Sequence, residues 1–245
     1  MRVTATQLVT FWTCPFLWHV SYEVKEPLPV WGTRRRFGNV IHAAIAEYER
    51  RARSLECAFQ LLEDQRAGLT LQDLEDARSI LAWRHERAPG REGRPMLIEG
   101  GLRAFQSGHR LDVRMDRLDS VGAGYLLAEY KGGRVVDLEL VRVQMMILSY
   151  AVLDVFSRAP SRWEVELLRA RKVLSLPAEV DSGKLTDFTK RLIQGVLEGD
   201  REPRPYDRAF CKQCPARSFC PNGTANPKPL TRIQESRLVN QLELF

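Results

Sequence analysis

No stretch of this 245-residue chain holds about 18 consecutive apolar residues, which excludes a hydrophobic membrane-spanning helix. The opening segment, MRVTATQLVTFWTCPFLWHV, is apolar enough to raise the question of a secretory signal. Thr4, Thr6, Gln7, Thr10 and Thr13 interrupt it, Pro15 breaks it and no small-residue cleavage site follows. A cytoplasmic protein is the expectation. Charge of one sign is scarce: 37 Lys and Arg against 31 Asp and Glu give a net +6. That excess permits a polyanionic partner without demanding one. Arginines cluster at Arg34-Arg35-Arg36 and at Arg50, Arg51 and Arg53, where a solvated helix face explains them equally well. Histidines number only four, and His85 and His109 have no partners at motif spacing. The rest, 44% hydrophobic and 28% charged, is the composition of an ordinary globular protein, long enough for one large domain.

Against this plain background residues 111–131, LDVRMDRLDSVGAGYLLAEYK, stand out. Two strand-like runs flank Val121-Gly122-Ala123-Gly124, whose glycines supply the positive φ angles of a hairpin turn. With the turn centred between Gly122 and Ala123, opposed residues have numbers summing to 245, and Asp116 faces Glu129. Like charges directly opposed on a ladder are destabilising unless a cation lies between them, and hard divalent ions prefer carboxylate oxygens. Strand alternation puts Lys131 on the side of Glu129, where an ammonium can hold an attacking water and lower its proton affinity. The group reads as a metal-dependent hydrolase site.

Met115-Asp116 followed by Glu129-Tyr130-Lys131 resembles the PD-(D/E)xK nuclease superfamily. The resemblance implies an α/β restriction-endonuclease-like core, a mixed sheet flanked by helices, and hydrolysis of phosphodiester bonds in DNA. Upstream, residues 34–62 have a helical pattern with Val40, Ile41, Ala44, Ile45 and Tyr48 on one face. Within it Gly38-x-x-x-His42 resembles the motif preceding the catalytic hairpin of RecB-like nucleases, where the histidine reaches the metal. By this resemblance His42, Asp116 and Glu129 hold Mg²⁺ or Mn²⁺, with the Tyr130 carbonyl as a further ligand, and Lys131 activates the water. Residues 63–95 read as a helical insertion ending in the loop APGREGRP, and 96–105 as a strand whose Glu99 approaches the site without being counted among the ligands. After the hairpin comes a helix, 137–156. RecB-like nucleases carry Gln-x-x-x-Tyr here; this chain has Gln144, but its tyrosine, Tyr150, arrives two residues late. A strand at 163–171 and a helix at 184–197 complete the expected core.

Cys211-x2-Cys214-x5-Cys220-Pro221 lies in a loop-like stretch, and Cys14-Pro15 almost two hundred residues upstream. Four such cysteines in a cytoplasmic protein suit zinc or an iron–sulfur cluster, and spacing does not separate the two. The arrangement is similar to that of the iron–sulfur CRISPR-associated exonucleases and the AddB nuclease domain, which implies a 4Fe–4S cluster on Cys14, Cys211, Cys214 and Cys220. Cys57 reads as a buried apolar residue. The resemblance thus spans a nuclease domain of residues 1–221 closed by the cysteines, followed by a linker and tail, 222–245. It implies an exonuclease or end-processing nuclease acting on single-stranded DNA or DNA ends. Open alternatives are a nuclease that processes new CRISPR spacers and a non-catalytic DNA-binding scaffold with a zinc site. The tail ends in Gln241-Leu242-Glu243-Leu244-Phe245, which resembles the peptide by which bacterial polymerases and repair proteins engage the sliding clamp. Leu244 and Phe245 would be its apolar anchors and Gln241 its hydrogen-bonding end, which points to bacterial or phage replication and repair. A short terminal helix packed on the core is the other reading of these residues.

Overall fold

Two tight turns, Ser107-Gly108 and Gly122-Ala123, build the sheet, and Ser107, Gly108 and Gly122 take the positive φ that such turns require. The computed structural model describes residues 1–28, 32–51, 53–90, 93–133, 136–178, 181–223 and 227–228. In chain order these form β1 (Arg2–Thr4), α1 (Ala5–Thr13), α2 (Pro15–Trp18), a π-helical turn (His19–Val24), α3 (Gly32–Arg50), α4 (Leu55–Asp64) and α5 (Leu71–Arg87). There follow β2 (Arg94–Gln106), β3 (His109–Val121), β4 (Gly124–Lys131), α6 (Leu138–Phe156), β5 (Arg162–Leu167), β6 (Lys172–Pro177) and α7 (Ser182–Leu197). A mixed six-stranded sheet runs β1-β3-β4-β5-β6, with β2 also on β3. The structure confirms the expected mixed sheet flanked by helices.

The chain divides into two compact units: Met1–Ala5 with Trp31–Lys190, which carries the sheet, and Thr6–Val30 with Arg191–Phe245. In the first, β3 is the central strand. One edge pairs antiparallel with β2 from Arg94↔Ser120 to Gln106↔His109. The other pairs parallel with β1 at residues 110–112 and antiparallel with β4 at residues 117–121, in the register expected from the turn. Among the described residues, no ladder partner occupies that edge between Asp112 and Arg117, and Asp116 sits at this opening.

Sequence periodicity merges two helices that the structure separates. The pattern over 34–62 breaks after Arg50: Arg53 adopts φ 65°, and Ser54 caps α4 by accepting from the Cys57 amide. A serine that satisfies a free amide lets a new helix start where periodicity alone would continue the old one. Separated this way, α4 packs Ala58 and Leu62 on α3. Cys57 is half-buried, not buried. Thr70 and Asp73 form a capping box that starts α5, which buries Ala77, Ile80 and Leu81 in the same core. Thus part of the expected insertion is core. Strands β1 and β6 lie outside the sequence expectation altogether.

Beneath the sheet lies an ionic group. Arg84 reaches Glu49, Glu166 and the Tyr130 hydroxyl, while Arg117 reaches Glu49 and Asp119. Both guanidinium groups and their carboxylates are sequestered from solvent. Arg117 and Tyr130 directly follow Asp116 and Glu129, so the group grips both strands one residue past those carboxylates.

Candidate active site

The last paired rung of β3 and β4 is Arg117↔Ala128, so the next brings Asp116 opposite Glu129, as the turn arithmetic requires. There the strands part, and Asp116 Oδ2 accepts from the Tyr130 amide at 2.6 Å. The Tyr130 ring turns to Arg84 and packs edge-on against His42, with ring centroids 5.7 Å apart, while its amide serves Asp116. On the opposite side Ile98 pairs Arg117 and Gly100 pairs Met115, which places Glu99 across from Asp116. Glu99 holds φ 46°, an uncommon conformation for a residue with a Cβ. From α3, His42 Nδ1 lies 2.9 Å from Glu99 Oε1 and 3.1 Å from Asp116 Oδ1. His42, Glu99 and Asp116 offer ligand atoms that all lie within 4.8 Å of one another.

Glu129 completes the site from β4. Its Oε1 accepts from Lys131 Nζ at 2.9 Å and from Gln144 Nε2, on α6, at 2.6 Å. Lys131 also donates to Gln144 Oε1 at 2.7 Å, so the three side chains close a ring. Glu129 Oε2 is buried with no hydrogen-bond partner among the described residues. A buried carboxylate oxygen left unpaired costs free energy that a cation would recover. The donor set, three carboxylates and one imidazole, is what Mg²⁺ or Mn²⁺ takes. On both counts the residues fit a divalent ion.

Electrostatics agree. Burial, and then the nearby Asp116 carboxylate, push Glu129 up to about 7. Burial alone would lower His42, but its hydrogen bonds to Asp116 and Glu99 outweigh that and push it up to about 10. Burial would raise Asp116, yet the His42 contact holds it below its usual range. In the metal-free protein a proton on His42 thus balances the carboxylates. A folded-state pKa raised above the unfolded value contributes stability at low pH that is lost as pH rises through the folded pKa. Metal-free protein should therefore melt at lower temperature as pH rises from about 5 to 8, the window of Glu129. Added Mn²⁺ should raise the melting temperature more at pH 8 than at pH 5. Melts followed by circular dichroism check this, and Glu129→Gln should flatten the dependence below about pH 6.5, above which the raised His42 adds its own loss of stability; a slope below that pH that survives the substitution assigns it elsewhere.

Tyr150, expected with Gln144, lies elsewhere. Six residues along a helix turn the side chain about 240° from the face of Gln144. Its hydroxyl donates to the Phe105 carbonyl at 2.6 Å and contacts Gln106, and burial pushes it up to about 12. Tyr150 is a structural tyrosine joining α6 to β2. The arginine clusters also serve structure where their side chains are described: Arg36 donates to the Ala67 and Gln65 carbonyls, Arg50 to Ile98, Arg51 to Glu47 and Arg53 to Ala88.

In the second unit the expected cysteines gather. Cys14 caps α2 just before Pro15, and Cys211, Cys214 and Cys220 follow one another through short turns. All four line one cavity of about 660 Å³, with Arg204, Arg208 and Arg217 also on its wall. Phe16, Leu17, Val20 and Ala216 form an apolar shell. Burial and the neighbouring sulfurs push Cys214 up to about 11 and raise Cys14. Thiols so placed become thiolates only when a cation joins them.

The sequence profile of the PD-(D/E)XK nuclease superfamily matches residues 2–221. The chain belongs to this superfamily. Among solved structures, the chain is similar to one from Eubacterium rectale described as "Putative exonuclease", at 12% identity and TM-score 0.52, covering 93% of this chain and 90% of that one. The structure of SSO0001 matches at 13% identity and TM-score 0.43 over 91% and 87%. At its identity the likeness to the first of these is one of fold alone. No curated protein matches the sequence.

Membership in the superfamily gives the carboxylates their context, since PD-(D/E)XK nucleases use divalent metals on DNA. Asp116, Glu129 and Lys131, expected from the motif, stand together in this site. Glu99 escapes the motif. Its signal is the Ser107-Gly108 turn, which sets Gln106 opposite His109 and, counted back along both strands, Glu99 opposite Asp116. The sliding-clamp-like residues Gln241, Leu242, Leu244 and Phe245 lie outside the described residues.

Proposed function

We propose that this protein is a divalent-metal-dependent deoxyribonuclease that works on strand ends. The observation that carries the reading is the buried Glu129 carboxylate, with one oxygen held by Lys131 and Gln144 and the other unpaired beside Asp116. His42, Glu99, Asp116 and Glu129 would hold Mg²⁺ or Mn²⁺, with the Tyr130 carbonyl as a further ligand. The ion supplies Lewis acidity and offsets charge on the phosphoryl group. Lys131, oriented by Gln144 and Glu129, positions the attacking water and stabilises the negative charge that grows as it loses its proton. Asp116 is kept ionised by His42 and by the Tyr130 amide, and so stays ready to bind a cation at neutral pH. The test is degradation of end-labelled single- and double-stranded DNA with Mn²⁺ and with chelator. Cleavage unaffected by chelator, or none with Mn²⁺, overturns the reading.

In the second unit the reading is a 4Fe–4S cluster on Cys14, Cys211, Cys214 and Cys220. All four cysteines line one cavity of about 660 Å³, which has room for a polynuclear group. The cavity arginines complement the negative charge of a thiolate-ligated cluster.

For the tail, the reading is docking on a bacterial sliding clamp through Gln241, Leu242, Leu244 and Phe245, which places the nuclease in replication and repair and not in spacer processing. A labelled peptide of residues 236–245 should bind purified clamp saturably, and Leu244→Ala with Phe245→Ala should weaken it about tenfold or more, as loss of anchor residues does. Absence of saturable binding removes the clamp from the account.

A further inference from the structure

Outside the candidate metal cage of His42, Glu99, Asp116 and Glu129, a cluster of arginines lies on β1, β2 and β3. Strand alternation between residues 109 and 115 sends Leu111, Val113 and Met115 inward and Arg110, Asp112 and Arg114 outward. Across the ladder Arg103 faces Asp112 and Phe105 faces Arg110, while β1 brings Arg2 beside Arg110. Arg2 and Arg110 both bond Asp112, and Arg103 stands 3.9 Å from it. Arg114 reaches Glu99 of the cage at 3.0 Å. Four guanidinium groups therefore share this face with Asp112, and a second carboxylate, Asp154, accepts from the Phe105 amide at 3.0 Å. Arg103 and Arg114 keep 61% and 70% of their side-chain surface in solvent, and Phe105, a large aromatic, is 56% exposed.

Stability does not account for this surface. Exposed ion pairs contribute about 0–1 kcal/mol each, and one carboxylate cannot neutralise three arginines. A solvent-facing phenylalanine contributes nothing to the core. A row of arginines with an aromatic side chain between them is instead what an unpaired nucleic-acid strand engages, phosphates on the cations and a base on the ring.

We infer that the outer face of β1–β3 is a track for single-stranded nucleic acid, with Arg2, Arg103, Arg110 and Arg114 on its phosphates and Phe105 stacked on a base, leading to the His42–Glu99–Asp116 cage. The track deepens the nuclease reading and rests on it for direction, Arg114 being the link through Glu99. From Arg110 to Asp116 it runs about 20 Å at the strand's rise of about 3.3 Å per residue. A strand that occupies it holds one end at the cage, which suits processing from an end.

The experiment measures fluorescence anisotropy of the full chain in chelator, with a thymidylate oligomer too short to leave the cage and one long enough to span β3. Wild-type protein should bind the long oligomer more tightly. Arg103→Glu with Arg110→Glu should erase that gain and reduce the slope of log affinity against log salt by about 0.7 for each phosphate that the arginines no longer neutralise. Phe105→Ala should weaken binding of the long oligomer by roughly tenfold. Arg66→Glu, an exposed arginine outside the sheet, is the control and should change neither. Affinity and salt slope unchanged in both track variants would overturn the inference, as would equal weakening in Arg66→Glu. Cleavage is scored separately on wild-type protein. Length-dependent binding without cleavage fails the nuclease reading and leaves the track, whereas cleavage without length dependence fails the track.

Discussion

Lys131→Ala is expected to lower DNA cleavage by about 10²–10³-fold, the usual cost of deleting one donor aimed at developing charge. Lys131 Nζ is held by both Glu129 and Gln144 in a half-buried position, so no water can reproduce its placement. Affinity for DNA measured in chelator should change little, because the exposed arginines remain. Asp116→Ala should fall further, to background, because Asp116 is bonded to both His42 and the Tyr130 amide and takes its place in the donor group with it. Single-turnover cleavage at saturating Mn²⁺ separates the two: the lysine variant keeps its metal dependence and the aspartate variant loses it. Undiminished cleavage by the lysine variant removes Lys131 from the mechanism, and cleavage that survives Asp116→Ala together with Glu129→Ala removes the site.

Cys14→Ala carries the second large effect. Anaerobically purified wild-type protein should be brown, with broad visible absorption that bleaches on reduction, and the variant should lose both colour and iron. Stability should fall with them. A link between Cys14 and Cys211 closes a loop of 197 residues (211 − 14), and by the chain-entropy relation for cross-links its loss costs about 5 kcal/mol. Cys57→Ala is the matched control, half-buried on α4 in the other unit and absent from the cavity. Colourless wild-type protein with stoichiometric zinc overturns the cluster, and equal loss from Cys57→Ala shows that Cys14 is not the fourth ligand.

Glu99 and Tyr150 are instructive because each differs from its expected role. No motif singles out Glu99, yet it bonds His42 and joins the donor group. Motif analogy puts Tyr150 in the site, yet it anchors β2. Motif spacing carries information only where the local periodicity turns both residues to the same side, and a two-residue delay on a helix does not.

What the sequence determined by itself is local geometry. The glycine turn at 122–123 set the register that opposes Asp116 and Glu129, alternation put Lys131 beside Glu129, and Cys211, Cys214 and Cys220 were legible as one group. These follow from bond geometry and residue chemistry within short segments. The tertiary structure alone decided the rest. It brought His42 of α3 between Glu99 and Asp116, stopped α3 at Arg50 so that α4 could pack on it, and set Arg84 and Arg117 behind the carboxylates. It also decided that Arg50 and Arg53 would bond carbonyls while Arg103 and Arg114 stayed in solvent. Such outcomes depend on which surfaces are buried against one another, and burial is a property of the assembled layers, where a charge is either desolvated and must find a partner or remains in water and need not.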